Sequence, residues 1–156
     1  MADIVRTPVD SGKVRVLVYG TLKSGGTNHA LMEKIRAKFV AFDSVSGAIK
    51  LKDLGPFPAV FDQSAEEIKK CKGEPNDVRG EVYMMEEEGL AHLDFYEGHP
   101  NFFERRKLWT NMYEKRVWVY FLTVPEMDNG QQRDVLPDGM WEPSKDEAKF
   151  WAQQQE

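Results

Sequence analysis

One stretch constrains the fold more than any other: Val14-Arg15-Val16-Leu17-Val18-Tyr19-Gly20-Thr21-Leu22-Lys23. Val14 to Val18, dominated by Val and Leu, reads as a buried strand. Tyr19-Gly20 breaks it into a polar, Gly-bearing loop that runs from Thr21 to Asn28. Ala30, Leu31, Lys34, Ile35 and Lys38 then fit one side of a helix at spacings of three and four. A strand that ends in a glycine turn before a helix leaves backbone N–H groups pointing out of the turn, a ready seat for an anion. The ligand is expected there.

Two nucleotide readings of this loop fail on their own chemistry. Gly20 and Gly25 have P-loop spacing, but Gly26 stands before Thr27 where the phosphate-neutralising lysine is required. A dinucleotide fingerprint needs a third glycine and a second βαβ unit, and neither follows. A lone Gly-bearing loop is otherwise no more than a strand-to-helix turn. A second segment further along raises it above that.

That segment is Leu93-Asp94-Phe95-Tyr96-Glu97-Gly98-His99-Pro100. Leu90, Leu93 and Glu97 lie at spacings of three and four, so Glu97 projects from the side that carries two core leucines. Gly98 and Pro100 end the helix just beyond it. A carboxylate on an inward face is costly unless paired or functional. A solvated helix end is the ordinary explanation when such a Glu stands alone.

The rest of the chain reads as one domain over residues 13–156 behind a flexible arm, residues 1–12; 156 residues suffice for a single sizeable core. Phe39 to Leu51 holds one or two strands, and Asp53-Leu54-Gly55-Pro56-Phe57-Pro58 bends the chain into a short strand at Ala59-Val60-Phe61. Ser64 to Asp77 is a charged surface excursion with a helical middle, and Val78 to Met85 is the next strand. Glu86, Glu87 and Glu88 open a helix to about Tyr96, their charge set against the positive end of its dipole. Phe103–Trp109 and Arg116–Thr123 form an antiparallel hairpin whose second strand, apolar on both faces, is central. Turns follow at Asp128–Gln132 and Leu136–Gly139. Ser144 and Glu147 then form a capping box that starts a helix with Ala148 and Trp151 on one face.

Charge and cysteine content narrow the partners. A net charge of −5 without a basic stripe argues against nucleic acid. One cysteine, Cys71, excludes an intrachain disulfide framework and reads as a plain exposed thiol in a reducing compartment. No apolar run before Val14 is long enough for a signal peptide or membrane span, so a soluble cytoplasmic protein is expected. His29, His92 and His99 lack a metal-ligand partner at i+4, and no Ser or Cys sits in a nucleophile elbow, so no metal is called for. Asp94 reads as structural, Lys23 as a solvated charge, and Tyr120 as either core or pocket lining.

Tyr19-Gly20-Thr21-Leu22-Lys23 and Leu93-Asp94-Phe95-Tyr96-Glu97-Gly98 together resemble the gamma-glutamylcyclotransferase-like family, closest to its gamma-glutamylamine cyclotransferase branch. The resemblance continues through Asn28-His29, Gly80-Glu81-Val82-Tyr83, Phe103-Glu104-Arg105, Val117-Trp118-Val119-Tyr120 and Gly139-Met140-Trp141. Phe103 stands where the family commonly has Tyr, and Ser64 to Asp77, pictured beside the acceptor side of the pocket, is longer and more charged than usual. The resemblance implies an α+β fold, a small mixed β-barrel with a few flanking helices. It implies a cyclotransferase that releases 5-oxoproline and a free amine from a small-molecule γ-glutamyl substrate, without a cofactor. By resemblance, Glu97 is the general acid/base, and Tyr19, Gly20, Thr21 and Leu22, with Tyr120, hold the substrate. The alternative is a non-catalytic protein that uses the same cavity to capture a small anionic ligand.

Overall fold

A computed structural model describes residues 12–124, 127, 135–136 and 138–154. Its elements are β1 Lys13–Val18, α1 His29–Lys34, β2 Lys38–Gly47, β3 Ile49–Asp53, β4 Pro58–Asp62 and α2 Ala65–Lys70, then β5 Asn76–Glu86, α3 Glu87–Glu97, β6 Phe103–Trp109, β7 Arg116–Leu122 and α4 Lys145–Gln153. The expected arm, apart from Gly12, and the turn expected at Asp128–Gln132 lie outside the described residues.

Seven strands form one sheet in the order β2-β5-β1-β7-β4-β3, with β6 also paired to β7. The predicted hairpin is present: β6 runs antiparallel along one whole edge of β7, from Phe103 opposite Leu122 to Trp109 opposite Arg116. A strand has only two edges, so β1 and β4 must share the other. Val16 lies parallel opposite Trp118, and Val60 parallel opposite Phe121. β1 therefore has to leave β7 where β4 arrives. It does so at Tyr19, and this fork positions the site.

The sheet curls and brings β2 round to the end of β6. Val45 of β2 bridges Thr110, just beyond β6, and the Asn111 amide donates to Ser44 O at 2.8 Å. The result is the expected α+β architecture, a curled half-barrel with a few helices.

Alternation along the strands buries both faces. Val16, Val18, Tyr120 and Leu122 face one core cluster, which also takes Met32 from α1 and Leu90 and Leu93 from α3. Leu17, Val117, Val119 and Phe121 face the other, with Val45, Val60, Val78 and Trp141. This is why β7 is apolar from Val117 to Leu122: it has packed core on both sides.

Several expectations are corrected. The first helix does not reach Lys38, which begins β2. Arg36, at φ 60, ends it: Arg36 N donates to Glu33 O and Ala37 N to Met32 O, a Schellman closure that usually announces itself with glycine. Lys72, at φ 58, ends α2 the same way. Asn76 and Asp77 are the first residues of β5 rather than the end of a surface excursion, and Asp53 and Pro58 form the last rung between β3 and β4. In α4, Ser144 caps Glu147 N as expected, but the Glu147 carboxylate points into the protein instead of back to the cap. The buried face of α4 is Glu147 and Trp151, while Ala148 is exposed.

Candidate active site

The fork opens a cleft of about 390 Å³. Tyr19, Gly20, Thr21, Leu22, Glu97 and Tyr120 all line it. Segments 78 residues apart in sequence thus meet across one cavity.

Tyr19 fills the fork. Its buried hydroxyl donates to Tyr120 O at 2.7 Å and accepts from Val60 N at 3.2 Å, satisfying backbone groups on β7 and β4 just beyond the end of β1. Burial first, and then the nearby Glu97, pushes the phenol far above its ordinary pKa. Tyr19 borders the cleft, but its hydroxyl is committed to the scaffold. Tyr19→Phe is expected to cost about 1–3 kcal/mol, because it strands two buried backbone groups. Urea denaturation of the variant checks this, and an unchanged midpoint would mean water replaces the hydroxyl.

Beyond Tyr19 the chain folds tightly on itself. Lys23 N donates to Gly20 O at 3.0 Å, Gly26 N to Lys23 O at 2.7 Å and Asn28 N to Thr21 O at 3.0 Å. These turn bonds take no donor from Gly20, Thr21 or Leu22. A Cβ on Gly26 would collide with Thr21 O, so only glycine allows the return. Asn28 Nδ2 donates to Thr21 Oγ1 at 3.1 Å, and His29 Nδ1 lies 2.9 Å from Leu22 O, so that histidine is local support for the turn.

The rear of the turn is bolted to the core, and here a sequence expectation fails. Lys23 is not a solvated charge: it is 2 % exposed, and its Nζ donates to Glu147 Oε1 at 2.7 Å and to Trp141 O at 2.6 Å. Burying a lysine requires such a partner. The Glu147 Oε2 atom accepts from Trp151 Nε1 at 3.2 Å. A second buried carboxylate, Glu81, accepts from Ser24 N and Tyr83 OH, each at 2.8 Å. Sequence reasoning gave neither glutamate this role; the one available signal was an acid inside the apolar strand Val78–Met85.

Glu97 closes α3. Leu90 and Leu93 on its side are buried, as predicted, and Gly98 at φ 70 ends the helix, with His99 N donating to Asp94 O. The last turn holds no basic residue to neutralise the helix's negative end. Among the described residues, none hydrogen-bonds the Glu97 side chain. Burial raises its pKa from the usual 4.5 to about 7.

Asp94, one turn earlier, is held differently. Arg105 grips it with two bonds, Nε to Oδ1 at 2.7 Å and Nη2 to Oδ2 at 3.0 Å, and Tyr120 OH donates to Oδ1 at 2.7 Å. Burial opposes ionisation, but these bonds outweigh it and hold Asp94 below the ordinary carboxylate range. The Arg105 guanidinium lies 4.2 Å from the Trp118 ring centroid, which fixes it further. Tyr120 therefore spends its proton on Asp94, and its remaining capacity is that of an acceptor.

Pro56, Phe57, Pro58, Tyr96, Phe102 and Phe103 also line the cleft. The 64–77 segment is absent from its lining, which corrects the expectation that it borders the acceptor side. Its helix instead packs by way of Glu67 against Lys50, at 2.7 Å. Elsewhere, His99 Nδ1 accepts from Arg105 N at 3.3 Å, and His92 is exposed. Cys71 is half-buried, with its thiol near Ile68 O and Glu74 O, rather than plainly exposed. Among the described residues no group of three or more His, Cys, Asp or Glu could hold a metal ion, and no helix is long and apolar enough to cross a membrane.

Comparison with known proteins shows the family and the fold. The family model for gamma-glutamyl cyclotransferase, AIG2-like, matches residues 16–143, which contain the turn, Asp94, Glu97 and Tyr120. Gamma-glutamylaminecyclotransferase of Bos taurus is 31% identical over 105 residues, 65% of this chain and 60% of that protein. The Homo sapiens protein of the same name is 31% identical over 104 residues, 65% of each chain. The match thus spans less than two thirds of either relative's length. The crystal structure of an AIG2-like protein from Mus musculus superposes with a TM-score of 0.64 at 24% identity, covering 85% of this chain and 97% of that one, and so shares the fold. With a family match running from β1 almost to α4, and with the fork, turn and helix-end glutamate inside it, the chain belongs to the gamma-glutamyl cyclotransferase, AIG2-like family.

Proposed function

We propose that this protein cyclises a γ-glutamyl amine or amide, releasing 5-oxoproline and a free amine. The observation that carries the reading is a carboxyl, pushed up to about 7 by burial, sharing one cleft with a turn in which, among the described residues, the Gly20, Thr21 and Leu22 amides donate to no partner. Those amides take the substrate's α-carboxylate, and the α-amine then lies toward Glu97 and Tyr120.

The amine nitrogen attacks the γ-carbonyl carbon, and a five-membered ring forms. Glu97 accepts the proton this nitrogen loses and delivers it to the leaving nitrogen as the old C–N bond breaks. A group titrating near neutrality suits both halves of that transfer. Attack is intramolecular, so most of the acceleration comes from holding the folded substrate in place. Tyr120, its proton committed to Asp94, accepts an N–H from the α-amine and orients its lone pair.

The test is a panel of γ-glutamyl amides with 5-oxoproline and amine both measured. Stoichiometric release of the two supports the reading, whereas saturable binding without product across the panel favours a protein that only captures an anionic ligand. Asp94→Asn separates orientation from proton transfer. It is expected to lower kcat by about 10- to 100-fold through a misoriented Tyr120, while the pH inflection set by Glu97 stays in place. A shifted inflection would promote Asp94 from positioning to chemistry.

A further inference from the structure

Resting on the cyclotransferase reading, we propose that the leaving amine of the preferred substrate is apolar, carrying an aromatic or branched aliphatic group and no carboxylate beside its nitrogen. Beside the turn, Glu97 and Tyr120, the cleft lining carries an aromatic wall of Phe57, Phe102 and Phe103, with Tyr96. Phe57 and Phe103 lie 6.3 Å apart between ring centroids and tilted by 59°, and Phe103 meets Phe102 edge-on at 5.3 Å.

The wall begins at the acid. Tyr96 precedes Glu97 in α3, and the Phe102 Cβ packs over Gly98, so a nitrogen protonated by Glu97 has rings close by. Whatever the nitrogen carries then runs along Phe102, Phe103 and Phe57. Phe103 is already buried, whereas Tyr96 is 44 % and Phe102 38 % exposed. The mouth therefore keeps apolar area that a bound substituent can cover, and covering it is favourable.

Charge excludes the alternatives. Among the described residues no Lys, Arg or His lines the cleft, and its one acid is Glu97. The neighbouring cations are engaged elsewhere: Lys23 with Glu147, Arg105 with Asp94, and Arg106 with Asp62 and Glu104. A carboxylate on the leaving group would enter apolar walls beside Glu97 without a counter-ion, an expensive placement.

Three substrates test this: γ-glutamyl-phenethylamide, γ-glutamyl-phenylalanine, which differs from it only by a carboxylate, and γ-glutamyl-methylamide, which lacks the ring. The kcat/KM for the phenethylamide is expected to exceed each of the others by about tenfold or more. Phe102→Ala is expected to shrink the phenethyl-to-methyl ratio. Equal or better turnover of the phenylalanine or methylamide compound overturns the proposal, as does an unchanged ratio in Phe102→Ala. If none of the three releases 5-oxoproline, the cyclotransferase reading fails, and calorimetric affinities for the same compounds decide the pocket separately. Tenfold tighter binding of the phenethylamide then keeps an apolar amine pocket, and equal or absent binding removes it.

Discussion

Glu97→Gln is expected to lower kcat by about 10²–10⁴-fold, the usual loss when general acid–base help is removed. The substitution keeps the shape of the side chain and abolishes its basicity. Substrate affinity should hold largely, because the proposed anion seat is the backbone of Gly20, Thr21 and Leu22. In the wild-type protein the rate should rise with pH through about 7 as Glu97 ionises. Stopped assays across pH, with ligand affinity measured in parallel, check both statements. Near wild-type turnover by the variant would remove Glu97 from the chemistry.

The same substitution has a second signature, in stability. A carboxyl raised from 4.5 to about 7 by folding keeps its proton where the unfolded chain has lost it. Folded stability therefore falls as pH rises through that window and stays lowered above it. Glu97→Gln escapes this penalty. Relative to wild type it should gain about 1–3 kcal/mol between pH 4 and pH 8, as one pKa unit is worth about 1.4 kcal/mol. Urea melts at the two pH values measure the difference. Gain of stability with loss of rate is what a desolvated functional acid predicts.

The second large effect lies at the buried pair behind the turn. Glu147→Ala or Lys23→Ala is expected to destabilise the fold by about 3–5 kcal/mol, because each leaves an uncompensated charge in the core. Lys23 is 2 % exposed and Glu147 not exposed at all, so water cannot take the partner's place without opening the structure. Lys23→Met with Glu147→Leu should recover part of the loss, with Trp151 Nε1 and Trp141 O still short of a partner. Chemical denaturation of the wild type, the two single variants and the double variant measures this. Single-variant losses under about 1 kcal/mol would mean that the pair behaves like a surface ion pair. Because Lys23 follows Leu22, surviving single variants should also show a raised KM as the turn loosens.

The parts of this protein that its sequence determined are those governed by nearest neighbours along the chain. Val14 to Val18 followed by Tyr19-Gly20 specifies a strand that must stop, and Leu90, Leu93 and Glu97 specify one helix face that Gly98 must end. The β6–β7 hairpin follows from two strand-forming runs, the second largely apolar, around Asn111-Met112-Tyr113. Periodicity carries this information because it records where a side chain points relative to its own backbone. It is silent when glycine is replaced by Arg36 or Lys72 at a left-handed helix end, since only context lets those residues adopt positive φ.

What the tertiary structure alone decided is which distant groups meet. Nothing local says that Lys23 pairs with Glu147, 124 residues away, so Lys23 read as solvated and Glu147 as a cap. Nothing local says that β1 and β4 divide one edge of β7, yet that division gives Tyr19 its two backbone partners and opens the cleft. The aromatic wall is likewise assembled from Phe57 in the β3–β4 turn and from Phe102 and Phe103 beyond α3. The environment of a charged or aromatic side chain depends on the low-dielectric surroundings built by remote strands, and those surroundings exist only once the sheet has curled.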